Sequence, residues 1–138
     1  MTLAKYLDIT SIIDKRGHIG VLEANRHFPF DIKRIYYLKA LSSENARGFH
    51  AHKELFQAAI CLSGSFKMLL DDGENRENVL LNSSEPPLLI EPLVWHVMSE
   101  FSEDCIILVL ASDYYCEEDY LRDYADFLRF RNERLQNT

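Results

Sequence analysis

Two histidines one residue apart, His50 and His52, precede an apolar run that closes on Gly64 in the stretch RGFHAHKELFQAAICLSGS, residues 47–65. Alternate side chains of a strand share a face, so this pair would stand on one side of a sheet with Cα atoms about 6.6–7 Å apart. Imidazole can ligate a metal, and with an ordinary pKa of about 6.5 it also gives and takes protons at cellular pH. Two such groups in one cavity suit a reaction that removes a proton at one atom and returns one at its neighbour. Arg47, Lys53 and Gln57 crowd the same stretch. Fixed positive charge from Arg47 or Lys53 would stabilise a developing oxyanion or hold a phosphate. That density of polar groups favours a functional site over an exposed strand face.

Short extended segments punctuated by turn residues would position the pair. They are IGVLEA at 19–24, IKRIYYL at 32–38, LFQAAICLSG at 55–64, SFKMLL at 65–70, NVLLN at 78–82, PLLIEP at 87–92 and CIILVLA at 105–111. Asp71-Asp72-Gly73 is a hairpin signal, and Asp71, Asp72 and Glu74 read as its charged end. Strands at this spacing imply a β-sandwich or barrel. From residue 113 the period changes: Tyr120, Leu121, Tyr124, Phe127 and Leu128 recur at helical spacing, with acids early and arginines late. The expectation is a barrel over about 6–112 and one helix over about 115–132, whose aromatic stripe serves core or dimer packing.

At 138 residues and 47% hydrophobic content, the chain has room for one core and not for two ordinary domains. Its net charge of −7 argues against general nucleic-acid binding. A small anionic ligand stays open, since a few local Arg and Lys residues can hold one. Cys61, Cys105 and Cys116 are an odd set without CxxC spacing and read as reduced thiols. No apolar run approaches the roughly 20 residues that span a bilayer, and no basic-then-apolar leader pattern opens the sequence. A soluble, cytoplasmic protein is expected.

The spacing His50-x-His52, four residues, Gln57, six residues, Gly64 resembles the first motif of the cupin barrels, where a glutamate usually stands in place of Gln57. In metal-binding cupins a third histidine comes from a P-x-G-x-x-H motif. Here the matching stretch is Pro92-Leu93-Val94-Trp95-His96, one residue shorter and without the glycine. The neutral amide of Gln57 is a weaker ligand than a carboxylate and supplies no charge. Two histidines, one amide and a displaced third histidine read as a poor metal site, so no metal or other cofactor is expected.

The resemblance narrows with Arg47-Gly48-Phe49-His50-Ala51-His52-Lys53, Asp14-Lys15-Arg16-Gly17, Pro29-Phe30-Asp31-Ile32-Lys33-Arg34-Ile35-Tyr36-Tyr37, Trp95-His96, Leu110-Ala111-Ser112-Asp113-Tyr114-Tyr115 and Asp119-Tyr120-Leu121-Arg122. Together these look like the dTDP-sugar 3,4-ketoisomerases, the WxcM-like cupins, from about residue 6 to 130. The resemblance implies an all-β, single-domain cupin jelly roll with a C-terminal α-helix, working as a homodimer. It implies an isomerase that converts dTDP-4-keto-6-deoxy-glucose to a 3-keto sugar through an enediol, without a metal. The product would pass to a sugar aminotransferase for deoxyaminosugar and surface glycan synthesis. His50 would be the base at carbon 3 and His52 the proton shuttle between the two oxygens. Tyr37, Arg47, Lys53, Gln57, His96, Arg16 and Arg34 are the expected substrate contacts, with Arg34 on pyrophosphate or on the outer face. His96 and Arg16 bear on the configuration at carbon 4, where the galacto product is the expectation. The competing readings are a metal-dependent cupin using His50, His52, Gln57 and His96, and a sugar-nucleotide-binding cupin without catalysis. The paired imidazoles count against the second.

Overall fold

The computed structural model describes residues 2–137. In chain order the strands are β1 (Lys5–Tyr6), β2 (Thr10–Asp14), β3 (Gly17–Val21), β4 (Arg34–Leu38), β5 (Arg47–His52), β6 (Gln57–Ser63), β7 (Ser65–Asp71), β8 (Arg76–Asn82), β9 (Leu88–Ile90), β10 (Trp95–Ser99), β11 (Ile106–Ala111) and β12 (Tyr120–Leu121). Helix α1 (Tyr124–Gln136) follows. One antiparallel sheet has the order β1-β9-β6-β11-β4, a second has β12-β5-β10-β7-β8, and β2-β3 is a separate hairpin. The two larger sheets form an open jelly-roll sandwich, the cupin architecture.

Alternation explains the core between them. Phe66, Met68 and Leu70 of β7 and Met98 of β10 meet Ala59 and Cys61 of β6, Leu88 and Ile90 of β9, and Ile107 and Val109 of β11 in one buried cluster. Burying a Val, Leu, Ile, Met or Phe side chain contributes about 1.5–3 kcal/mol, so the eight such groups named here hold the sheets face to face. Gly64 lets the chain cross from one sheet to the other. Its φ is +71°, and an added Cβ would lie 2.1 Å from Ser102 Oγ. Cys61 and Cys105 are buried, Cys116 is exposed, and all three are free thiols.

The hairpin predicted at Asp71-Asp72-Gly73 joins β7 to β8, and Asp72 Oδ1 accepts from the Glu74 and Asn75 amides. Asp71, however, is not a solvated end. It is buried and accepts from Arg76 Nε at 2.8 Å and the Tyr124 hydroxyl at 2.7 Å, which ties α1 to the sheet.

The helix also begins later than its periodicity predicted. Residues 117–119 make one 3₁₀ turn, and Tyr120–Leu121 then pair with His52 and Ala51 on the open edge of β5. Asp123 stays extended and caps α1 by accepting from the Asp126 amide at 3.0 Å. Phe127 packs on Trp95, with ring centroids 5.7 Å apart. Among the described residues no helix is long and apolar enough to cross a membrane.

Candidate active site

The site grows from a bulge. Gly48 (φ +105°) and Phe49 (φ +57°) break the regular twist of β5, and the β5–β10 register shifts between His96 and Val97. Only glycine fits at 48, because a Cβ there would lie 2.8 Å from the His96 carbonyl oxygen. Bulges re-aim side chains, and this one turns Phe49 outward and sets His50 directly opposite His96. The short PLVWH segment therefore does not displace the third histidine. Ring centroids are 4.6 Å apart for His50–His96, 4.9 Å for His50–His52 and 6.1 Å for His52–His96.

Each ring is anchored through Nδ1. His50 bonds the Gly48 carbonyl at 3.0 Å, His96 the Val94 carbonyl at 3.0 Å, and His52 the Asp119 Oδ2 at 2.9 Å. Carbonyl and carboxylate oxygens accept only, so all three Nδ1 atoms donate and every neutral ring keeps a bare Nε2. Burial lowers the His50 pKa and takes His52 and His96 down to about 3; neighbouring histidines add to the push on the latter two, while Glu117 opposes it at His50. A salt bridge to Asp119 would raise His52. The combined effect of burial, His50, Arg34 and Arg122 wins, so that contact is a hydrogen bond from a neutral ring.

Ring nitrogens of the three histidines lie within 4.8 Å of one another, close enough to share a divalent ion. The fourth ligand of the cupin pattern does not fit that use. Gln57 is buried, its Oε1 accepts the Tyr36 hydroxyl, and it offers no negative charge.

Next to the histidines lies a cleft of about 250 Å³ lined by Arg34, His52, Glu54, Leu55, Ser112, Asp113, Tyr114, Cys116, Asp119 and Tyr120. Arg34 reaches inward on β4, its guanidinium 5.5 Å from the Tyr36 ring centre, and its buried Nε has no hydrogen-bond partner among the described residues. Burial and the nearby Tyr120 push the Tyr36 hydroxyl up to about 12.

Of the residues expected from sequence, His50, His52, His96, Gln57 and Arg34 come together here. Tyr37 does not. It is 65% exposed and lines a separate outer recess with Lys39 and Arg47, because β4 turns Arg34, Tyr36 and Leu38 inward and its alternate residues outward. Tyr36 takes the inner place. Arg47 is carried to that recess by the bulge. Lys53 follows the inward His52, so it turns away, with its Nζ 5.2 Å from the Phe130 ring centre. Arg16 lies at the tip of the β2–β3 hairpin, paired with Asp14 at 2.7 Å, in a recess lined by hairpin residues and by none of the three clustered histidines. Three site residues lie in the segment read from sequence as helix or left without a role: Asp119, Tyr120, whose ring is 4.4 Å from His52, and Arg122, stacked on Tyr120 at 4.2 Å. The Asp123-x-x-Asp126 cap was the local signal that the helix starts after them.

Comparison with known proteins bears on the same residues. The family described as FdtA: WxcM-like, C-terminal matches residues 3–132, which contain every group in the cleft. The chain is 46% identical over 126 residues to the TDP-4-oxo-6-deoxy-alpha-D-glucose-3,4-oxoisomerase of Aneurinibacillus thermoaerophilus, covering 91% of each protein. A crystal structure of a single-site variant of the 3,4-ketoisomerase QdtA from Thermoanaerobacterium thermosaccharolyticum, in complex with TDP-4-keto-6-deoxyglucose, superposes with a TM-score of 0.91. It is 39% identical, covering 97% of this chain and 98% of that one. The TDP-quinovose 3,4-ketoisomerase WlaRB of Campylobacter jejuni gives a TM-score of 0.87 at 42% identity, covering 94% and 99%. With a jelly roll, a histidine cluster and a match running almost end to end, the chain belongs to the WxcM-like (FdtA) family.

Proposed function

We propose that this protein is a sugar-nucleotide 3,4-ketoisomerase acting on dTDP-4-keto-6-deoxy-glucose, single-domain and independent of metal. The observation that carries this reading is the cluster of three neutral imidazoles, each held by Nδ1 with a free Nε2. His50, the most accessible of the three, takes the proton from carbon 3 of the 4-ketone. The electron pair passes into the carbon–carbon bond and onto the carbon-4 oxygen, giving an enediolate. His52 accepts a proton from the carbon-3 hydroxyl and returns one to the carbon-4 oxygen. Carbon 4 is then protonated from the cluster through His96, and the carbonyl is left at carbon 3.

The low pKa values suit this sequence. An imidazole that resists protonation is fully available as a base at pH 7, and once loaded it is a strong acid that readily gives its proton back. The weak base then needs help in forming the enediolate, the largest demand on such a site. Arg34 and Tyr120 line the cleft as donors, and Arg34 also suits the pyrophosphate. Delivery through His96 gives the galacto configuration in this reading.

A second copy of the chain completes the proposal. The hairpin carries Ile12, Ile13 and Ile19 into solvent, and edge strand β4 carries Ile35 and Tyr37. Exposed apolar faces of this extent mark association surfaces, and a homodimer would bring Arg16 of one copy within reach of the other. The product is a substrate for a sugar aminotransferase, in the cytoplasm where sugar nucleotides are made.

The test is to strip the protein with a chelator, add dTDP-4-keto-6-deoxy-glucose in deuterated water and follow the sugar by NMR. A 3-keto product of galacto configuration, with solvent deuterium at carbon 4, is expected. Loss of turnover that only zinc, iron or manganese restores would favour a metal-dependent cupin on the same three histidines. No conversion with tight binding would leave a binding protein.

A further inference from the structure

We infer that Asp119 is the positioning residue that sets the tautomer of His52, and through it the direction in which His52 can move a proton. This rests on the proposed role of His52 as the proton carrier between the substrate oxygens.

The three rings are not anchored in the same way. His50 and His96 donate to backbone carbonyls, which no substitution of a side chain removes. His52 alone depends on a side chain, Asp119 Oδ2 at 2.9 Å. Asp119 is itself held by several contacts. Its Oδ1 accepts the Glu54 amide at 2.8 Å, its carbonyl accepts the Lys53 amide at 2.9 Å, and its own amide donates to the Cys116 carbonyl at 3.1 Å. The next residue, Tyr120, pairs with His52 across the β5–β12 ladder. The 3₁₀ turn is thus clamped onto the strand that carries both proposed proton carriers, with its carboxylate spanning His52 and the following turn.

That double engagement has a chemical consequence. The carboxylate has two accepting oxygens, one for the Glu54 N–H and one for the His52 ring. With Nδ1–H committed to Asp119, the only free lone pair of His52 is at Nε2, where a proton can be received and passed on. In Asp119→Asn the carbonyl oxygen must stay with the Glu54 amide, because that N–H has no alternative acceptor on the side chain. The NH₂ group then faces His52 Nδ1. Two donors cannot bond each other, so the ring exchanges tautomers and places its proton on Nε2, where it blocks the carrier.

Asp119→Ala is different in kind. It removes the partner without enforcing the wrong tautomer, and His52 samples both forms. A merely structural Asp119 predicts that alanine, which loses both hydrogen bonds, is the worse replacement. A tautomer-setting Asp119 predicts that asparagine is.

The experiment uses the full chain and two readouts. Long-range proton–nitrogen correlation spectra on ¹⁵N-histidine-labelled protein give the protonated nitrogen of His52, and kinetics with dTDP-4-keto-6-deoxy-glucose give kcat and KM separately. Wild type should show Nδ1–H. Asp119→Asn should show Nε2–H, with kcat down by at least about 10²-fold, the size of a lost acid–base group, and KM near its wild-type value. Asp119→Ala should lose less of kcat than Asp119→Asn. Should alanine fail to fold, the asparagine spectrum decides alone. Normal kcat in Asp119→Asn, or lost kcat with His52 still Nδ1–H, overturns the inference. His52→Asn separates it from the reading it rests on: full turnover there would remove His52 from the reaction, while the nitrogen spectra would still say whether Asp119 sets the ring.

Discussion

Acid should unfold this protein earlier than its carboxylates alone would require, and the histidine cluster gives the size of the effect. His52 and His96 are each 3% exposed, and their pKa values stand at about 3 against about 6.5 in an unfolded chain. A histidine whose folded pKa is depressed binds more protons when unfolded, so stability rises with pH across the interval between the two values and is lost as pH falls through it. Between pH 7 and pH 5 each ring costs about 2 kcal/mol, or about 4 kcal/mol for the two, by that linkage. His50, also lowered, adds in the same direction. Against a total stability of about 5–15 kcal/mol for a domain, this is a large fraction. Carboxylates contribute little in this window, because unfolded Asp and Glu titrate below it.

The assay is urea unfolding at pH 7, 6 and 5, at low protein concentration because the sequence pI is about 5.2. His96→Asn supplies the internal control: its amide NH₂ can still donate to the Val94 carbonyl while the titrating ring is gone. The pH 7 to 5 loss should shrink by about 2 kcal/mol, the share of one ring. A wild-type stability that is flat from pH 7 to 5 would refute the reasoning, since it would mean that the rings protonate inside the folded protein as easily as in water.

Further outcomes follow from the same geometry. His50→Asn should leave the fold intact and lower turnover by at least about 10²-fold while abolishing deuterium exchange at carbon 3, measured by NMR. His52→Asn should lose turnover to a similar degree yet retain slow exchange, because the carbon-bound proton can still be taken. The acid limb of kcat/KM should lie below the ordinary imidazole pKa, as the depressed values of all three rings keep the bases unprotonated at lower pH. Tyr36→Phe strands the buried Gln57 oxygen and should cost about 1–3 kcal/mol in urea unfolding as well as activity. Tyr37→Phe, on the outer recess, should change neither by a comparable amount.

The contrast between the two tyrosines shows where sequence stops being informative. In IKRIYYL both alternating faces carry aliphatic and aromatic groups, so the period of two is legible while its phase is not. The phase is set by what β4 lies beside, namely β11 on one edge and the His52 cleft on the inner face. The same limit applies at Asp119. Tyr120, Leu121 and Tyr124 fit a helical period, but the free edge of β5 draws Tyr120–Leu121 into a ladder with residues nearly seventy positions earlier. Local spacing carries no trace of such a partner. His96 is the reverse case, in which a one-residue deficit in its motif is made good by the one-residue excess of the bulge at Gly48-Phe49. The His50-x-His52 pair was readable because both its members lie on one strand and need only the alternation.

An acceptor-rich cluster also has a thermodynamic meaning for the proposed reaction. Ring nitrogens of the three histidines lie within 4.8 Å of one another with every Nδ1–H committed elsewhere, an arrangement that suits a ligand offering hydroxyl donors. The 4-keto substrate has one hydroxyl at carbons 3 and 4, and so does the 3-keto product. The enediolate between them also has one, beside an anionic oxygen, while His50 holds the proton taken from carbon 3. On going from either ketone to the intermediate the cluster would therefore gain a charge-assisted hydrogen bond, from the loaded His50 to the enediolate oxygen. A net bond is worth about 1 kcal/mol in ordinary settings and about 1.5–3 kcal/mol where one partner is charged. Interactions that strengthen only along the reaction coordinate raise the rate, whereas those shared with the ground state do not. Holding every Nδ1–H on a carbonyl or on Asp119 is what keeps the Nε2 lone pairs free, so the anchors outside the cluster favour the intermediate without touching it.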